Sequence, residues 1–254
     1  MFERAQGFFY KHVIKTRNWA EMAWFLVYPL VALFTAGFFL QFVKGDPTAV
    51  VYLLVGTFMW NFYMLCQKGI TYGVLYDVWD RCFKHSVISP ASVFDFVLGN
   101  GAFGLVSALA SMIVANFFAI IFFNFNLFDA GLVLVGAFTV IFFYGVAEGL
   151  VIDALIVTRG HEYISLTWIL TGLIITLSGV YYPVEQLPQI VQPISFLLPT
   201  THAIAATRNA FLGGDVIGPL LTGLALAIVF LVSSMAIYAF ALKKSTESGL
   251  LSRL

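Results

Sequence analysis

The sequence predicts an all-α membrane protein with six transmembrane helices. Of its 254 residues, 61% are hydrophobic and 10% charged, against about 25% charged in an ordinary soluble domain. The apolar residues also gather in runs of about 20, the length that crosses about 30 Å of hydrocarbon as a helix. These runs are continuously apolar rather than alternating, so they read as helices and not as barrel strands. Nothing is left over for a soluble domain, and 1–254 reads as a single unit.

In chain order, residues 1–22 come first. Phe8, Phe9, Val13 and Ile14 interleave with Arg4, Lys11, Lys15 and Arg17, the pattern of an amphipathic helix lying in the headgroup plane; a solvated charged tail is the competing reading. Charges run throughout it and no small-residue cleavage site follows, so it is not read as a removable signal peptide. Trp19 and Trp24 mark the interface at which the first span begins. The six expected spans are Trp24–Val43, Ala49–Ile70, Val97–Phe123, Ala130–Ile152, Ile164–Tyr182 and Leu220–Leu242. The connections Lys44-Gly45-Asp46-Pro47 and Asn124-Phe125-Asn126 are tight turns.

Two connections have structure of their own. Over 76–88, Val78, Phe83 and Val87 share one helical face while Asp77, Asp80, Arg81 and Lys84 take others, and Ser89-Pro90 ends the segment. This is a short amphipathic helix offering Trp79 and Phe83 to a partner, or else one lying on the inner leaflet. Over 184–212, four of the eight prolines (Pro183, Pro188, Pro193, Pro199) break the chain between two apolar runs. Pro183 is expected to end the fifth span. Leu187, Ile190, Val191, Ile194 and Leu198 then repeat at helical spacing. A second short helix follows Pro199, capped by Thr200 or Thr201, passes Arg208 and stops at Gly213-Gly214. Neither is long enough to span, which predicts a re-entrant pair of short helices at the external mouth; a loop on the outer surface is the alternative.

Positive charge orients the bundle. With both termini inside, the inner side holds Arg4, Lys11, Lys15, Arg17, Lys68, Arg81, Lys84, Arg159, Lys243, Lys244 and Arg253, eleven in all, against Lys44 and Arg208 outside. Both termini are therefore expected in the cytoplasm.

Catalytic patterns are missing or misleading. "GNGAFG" (Gly99 to Gly104) fits a dinucleotide fingerprint by letters but follows no strand, and small residues for close helix packing explain it better, as they do Gly145 and Gly149. Glu148 and Asp153 are the ionisable residues in the fourth span, functional candidates by default, and pairing with Lys68 or Arg159 is the expected arrangement. The four histidines lack ligand spacing, so no metal site is expected. Cys66 and Cys82 read as inert thiols. No phosphate-binding loop, GxSxG or HExxH occurs, so the chain is expected to be no enzyme. It is left to pass solute downhill, to couple to an ion, as in an ion-coupled secondary transporter with Glu148 at its centre, or to borrow energy from a partner.

The whole chain resembles the type-2 exporter permeases of the ATP-binding-cassette (ABC) transporters. The resemblance lies in the six spans, in "HSVISPASVFDFVLG" after the second, and above all in "SGVYYPVEQLPQIVQPISFLLPTTHAIAATRNAFLGG". It implies a permease without a cofactor of its own, with ATP and magnesium held by separate cytoplasmic ATP-binding subunits. These would dock on a coupling helix at Asp77, Trp79, Asp80, Arg81, Phe83 and Lys84 and on the N-terminal interfacial helix. It further implies a second permease copy, a homodimer in the plasma (inner) membrane of a bacterium or archaeon, and export of a lipid, lipid-linked glycan or hydrophobic drug. The exit would pass the external re-entrant gate at Pro183, Pro188, Pro193, Pro199 and Arg208. The lipid bilayer is the remaining partner, and no nucleic acid is expected.

Overall fold

The computed structural model describes residues 2–43, 47–83 and 91–247, and every regular element among them is helical. In chain order these are α1 (Phe2–Thr16), α2 (Trp19–Val43), α3 (Pro47–Trp79), α4 (Val93–Phe123), α5 (Val133–Arg159), α6 (Ser165–Leu177), α7 (Gln192–Phe196), α8 (Pro199–Leu212) and α9 (Ile217–Glu247). Short 3₁₀ turns lie at Leu127–Ala130, His161–Ile164 and Val184–Gln186. Helices α2, α3, α4, α5 and α9 are long and apolar enough to cross a membrane.

The centre of the bundle is α3. Nearly every residue from Leu54 to Val78 is buried, because α2, α4, α5 and α8 all pack on it. A helix apolar on all sides has no preferred outer face, and covering it completely is how such a helix is accommodated. Glycines set how near its neighbours come. A Cβ on Gly69 of α3 would lie 2.6 Å from Cα of Gly104 in α4, and one on Gly149 of α5 would lie 2.8 Å from Cβ of Ile70. The "GNGAFG" stretch and the Gly145/Gly149 pair thus serve backbone approach, as small residues do between membrane helices. Outward faces of α2, α4 and α9 expose Phe38, Phe42, Ile113, Phe117, Val229 and Val232, an exterior suited to lipid.

Helix ends depart from expectation because hydropathy reports where lipid stops, not where the helix does. The second span, expected over 49–70, continues to Trp79, and a helix of 33 residues is about 50 Å long. Tyr76 to Trp79 therefore form the last turn of α3 and not the start of a separate helix over 76–88. The third begins at Val93 instead of Val97, set by a capping box in which Ser92 and Asp95 exchange hydrogen bonds. The fourth runs from Val133 to Arg159 rather than from 130 to 152. The last extends from Ile217 to Glu247, beyond the expected 220–242.

The fifth expected span, 164–182, is shortened. Its α-helix stops at Leu177 after 13 residues, about 20 Å against about 30 Å of hydrocarbon. Ser178 caps it and Gly179, at φ +62°, turns the chain away. Pro183 lies six residues past that end and does not terminate the helix. The regular helix expected from Leu187 to Leu198 is reduced to the five residues of α7, with Ile190 exposed. Helix α8 starts with Pro199 at its first position, where no N–H is needed. Its cap residue is therefore Leu198, not Thr200 or Thr201. Gly213, at φ +77°, ends it where expected.

Candidate functional site

Three constellations stand out, one at each end of the bundle and one in its middle. At the end carrying α1, helix α3 finishes in a Schellman arrangement. Cys82 N donates to the Asp77 carbonyl (2.8 Å), Arg81 N donates to that of Val78 (3.1 Å), and Arg81 takes the left-handed φ of +56°. Trp79, Asp80 and Arg81 consequently project outward, while Asp77 and Phe83 turn inward and are 3% exposed. Phe83 packs in a core with Val78, Phe96 and Tyr238. It is thus a core residue and not part of a docking face, which corrects the expectation for it. Lys84 lies outside the described residues.

Helix α1 is pinned onto this corner. Lys11 Nζ lies 2.6 Å from Asp77 Oδ1 and donates to the Gly73 carbonyl at 2.8 Å, and Lys15 Nζ lies 2.5 Å from Asp80 Oδ2. His12 Nε2 donates to Asn100 Oδ1 (2.8 Å), since the Asn100 amide is committed to the Phe96 carbonyl, and its ring stacks on Phe103 at 4.6 Å. The two segments expected to meet a partner separately are thereby joined into one surface. Asn100, inside "GNGAFG", is the residue the sequence reading passed over; a lone amide in an apolar run was the available signal.

Burial sets the protonation of His12. Loss of hydration lowers its pKa from 6.5 to about 4, with Lys11 acting the same way and the Asn100 bond opposing. The docked helix carries neutral His12, while an undocked one titrates near 6.5. Docking is therefore fully supported above pH 6.5 and loses about 3 kcal/mol as pH falls to 4. Limited proteolysis at Arg17 is expected to accelerate over that interval, and His12→Gln is expected to flatten the profile.

In the middle of the bundle, Glu148 of α5 accepts hydrogen bonds from the Tyr63 hydroxyl of α3 and from Thr171 Oγ1 of α6 (3.4 Å). It joins three helices. The expected ion pairs with Lys68 or Arg159 are not formed among the described residues; Lys68 Nζ instead sits 5.4 Å from the centre of the Tyr28 ring. Asp153, fully buried one to two turns further on, has both carboxylate oxygens without a hydrogen-bond partner.

At the opposite end Arg208 is 5% exposed. Its guanidinium donates to the carbonyls of Gly179 (2.9 Å), Val180 (2.5 Å) and Tyr52 (2.9 Å) and covers the Tyr52 ring at 4.4 Å. A flat fork of donors suits carbonyls arriving from two directions. Gly56 makes room, since a Cβ there would fall 1.6 Å from the Val180 oxygen. Ser178 and Thr200 hydroxyls bond at 2.5 Å, and Pro199 lies against Gly223 of α9, about 10 Å in from that helix's start. Each of the four prolines marks a local start: Pro183 before the 3₁₀ turn, Pro188 in the turn closed by Val191 N, Pro193 in α7 and Pro199 in α8.

No curated protein matches the chain. A model of the ABC-2 type transporter family matches residues 10–212, from within α1 to the last residue of α8, taking in the pinned corner, the Glu148 junction and the Arg208 clamp. By that match the chain belongs to the ABC-2 type transporter family, an integral membrane transport component of the permease kind.

Proposed function

We propose that the chain is the transmembrane permease of an ABC exporter, powered by separate ATP-binding subunits that carry the ATP and magnesium. The ATP-binding subunit docks on the surface made by α1 and the Trp79–Arg81 corner. The observation that carries this reading is the pinning of α1 to the end of α3 by Lys11–Asp77 and Lys15–Asp80. A push there is delivered to the one helix that touches α2, α4, α5 and α8 at once, and packed elements transmit such a shift as rigid bodies. The permease works as a homodimer in a plasma (inner) membrane with both termini cytoplasmic. Its cargo is a lipid, lipid-linked glycan or hydrophobic drug, and it leaves past a re-entrant pair formed by α7 and α8.

Asp80 and Lys15 are both exposed, and a surface pair of this kind contributes about 1 kcal/mol at most. Asp80→Lys is accordingly expected to leave the protein folded and inserted while lowering transport-coupled ATP hydrolysis about tenfold or more through like-charge contact at the dock. Co-purification from native membrane is expected to bring along a protein with a phosphate-binding loop in wild type and far less of it in the variant. Wild-type coupling in Asp80→Lys would sink the assignment of the dock. The runner-up, an ion-coupled carrier, draws support from the buried Glu148. Uphill transport by the isolated chain in liposomes, abolished by Glu148→Gln, would decide for it.

A further inference from the structure

Helix α6 touches the bundle sparsely, and a groove of about 420 Å³ runs along it between α5 and α9. Its walls are apolar: Leu170, Leu173 and Ile174 from α6, and Val229 and Ile237 from α9. At its base lie the Glu148 carboxylate and the ring of Tyr144, which meets Phe230 edge to face at 5.3 Å. None of the residues lining it is cationic; Lys68 lines a neighbouring cavity with Thr171 of α6, and its Nζ sits 5.4 Å from the centre of the Tyr28 ring. The groove thus offers a single ionisable group, the Glu148 carboxyl, inside a greasy trough edged by aromatic rings. Its volume lies within the range of small-molecule sites.

We propose that this groove is a binding site for lipophilic organic cations. The cation would sit against Glu148 and the Tyr144 and Phe230 faces, where ring quadrupoles attract positive charge, and its hydrocarbon would lie along Leu170, Leu173 and Val229. Charge complementarity decides between occupants. A neutral acyl chain would satisfy the walls but leave the carboxyl at the base unused, and an anion would find no cationic side chain in the lining. The inference rests on the permease reading by naming a substrate class for it, yet binding at equilibrium requires neither ATP nor the ATP-binding subunit.

The test is equilibrium binding of tetraphenylphosphonium to the full chain in nanodiscs, with tetraphenylborate as a probe of nearly the same shape and opposite charge. Saturable binding of the cation is expected, weakened about thirtyfold by Glu148→Gln, with no saturable binding of the borate. Val229→Trp, which fills the groove from the far wall and keeps the carboxylate, is expected to abolish binding, and gel filtration checks that both variants remain folded. Equal cation affinity in wild type and both variants, or borate binding as tight as the cation, overturns the proposal. Either result leaves the ATP-coupled reading standing, which co-purification of the ATP-binding subunit tests separately.

Discussion

Arg208→Ala is expected to destabilise the protein by several kcal/mol. The guanidinium is the donor to three carbonyls, those of Tyr52, Gly179 and Val180; the Tyr52 carbonyl lies inside α3 and keeps a helical N–H, while each of the other two, left without a donor, costs about 1–3 kcal/mol. Against a total stability of about 5–15 kcal/mol this is a large share. Arg208→Lys is expected to recover only part, because one ammonium cannot reach carbonyls on α3 and on the turn after α6 together. Gly56→Ala attacks the same joint from the other side, forcing a Cβ into the Val180 oxygen. The double variant should therefore lose less than the sum of the two singles, as residues sharing one contact do. Thermal unfolding followed by tryptophan fluorescence reads all four proteins. A melting point for Arg208→Ala within about 1 °C of wild type would mean that the clamp holds nothing.

What could be read in the sequence follows from the range of the forces involved. The existence of the long helices was legible, because runs of apolar residues are a local property. So were the small-residue contacts and the stop at Gly213. Helix ends were less so: Thr71 to Val78 are polar enough to leave the lipid, yet they stay helical, and all of them but Tyr72 are buried. The stop of α6 at Leu177 depends on Gly179, which is local, and on Arg208, which is 29 residues away. Site residues divided in the same way. Trp79, Asp80 and Arg81 project outward as expected. Phe83 shares a core with Val78, as their common face implied, but it is buried and not open to a partner because α3 ends at Trp79 and the chain reverses at Arg81. The partners of Glu148 were missed since Tyr63 and Thr171 lie 85 and 23 residues from it, and a hydroxyl in an apolar run carries no mark of the helix it will meet.

Breaking the Lys11–Asp77 pair should release α1. The Asp77 side chain is 5% exposed and that of Lys11 23%, so removing one partner leaves the other charge in a poorly hydrated place, at a cost of about 3–5 kcal/mol. Lys11→Met also strips the Gly73 carbonyl of its donor. Hydrogen exchange over residues 5–16 in Asp77→Asn or Lys11→Met is expected to accelerate about a hundredfold or more, up to several thousandfold, since each 1.36 kcal/mol is worth a factor of ten. Pairing Lys11→Met with Asp77→Leu removes both charges together and is expected to restore much of the protection, because an apolar pair of similar volume often replaces a buried ion pair without loss. Lys15→Met serves as the contrast: its partner Asp80 is solvated, with side chains 37% and 47% exposed, and its effect should stay under about 1 kcal/mol. If Lys11 and Lys15 variants exchange alike, α1 is held by its aromatic contacts to Phe96 and Phe103 and not by charge. The push from a docked subunit would then reach α4 before α3.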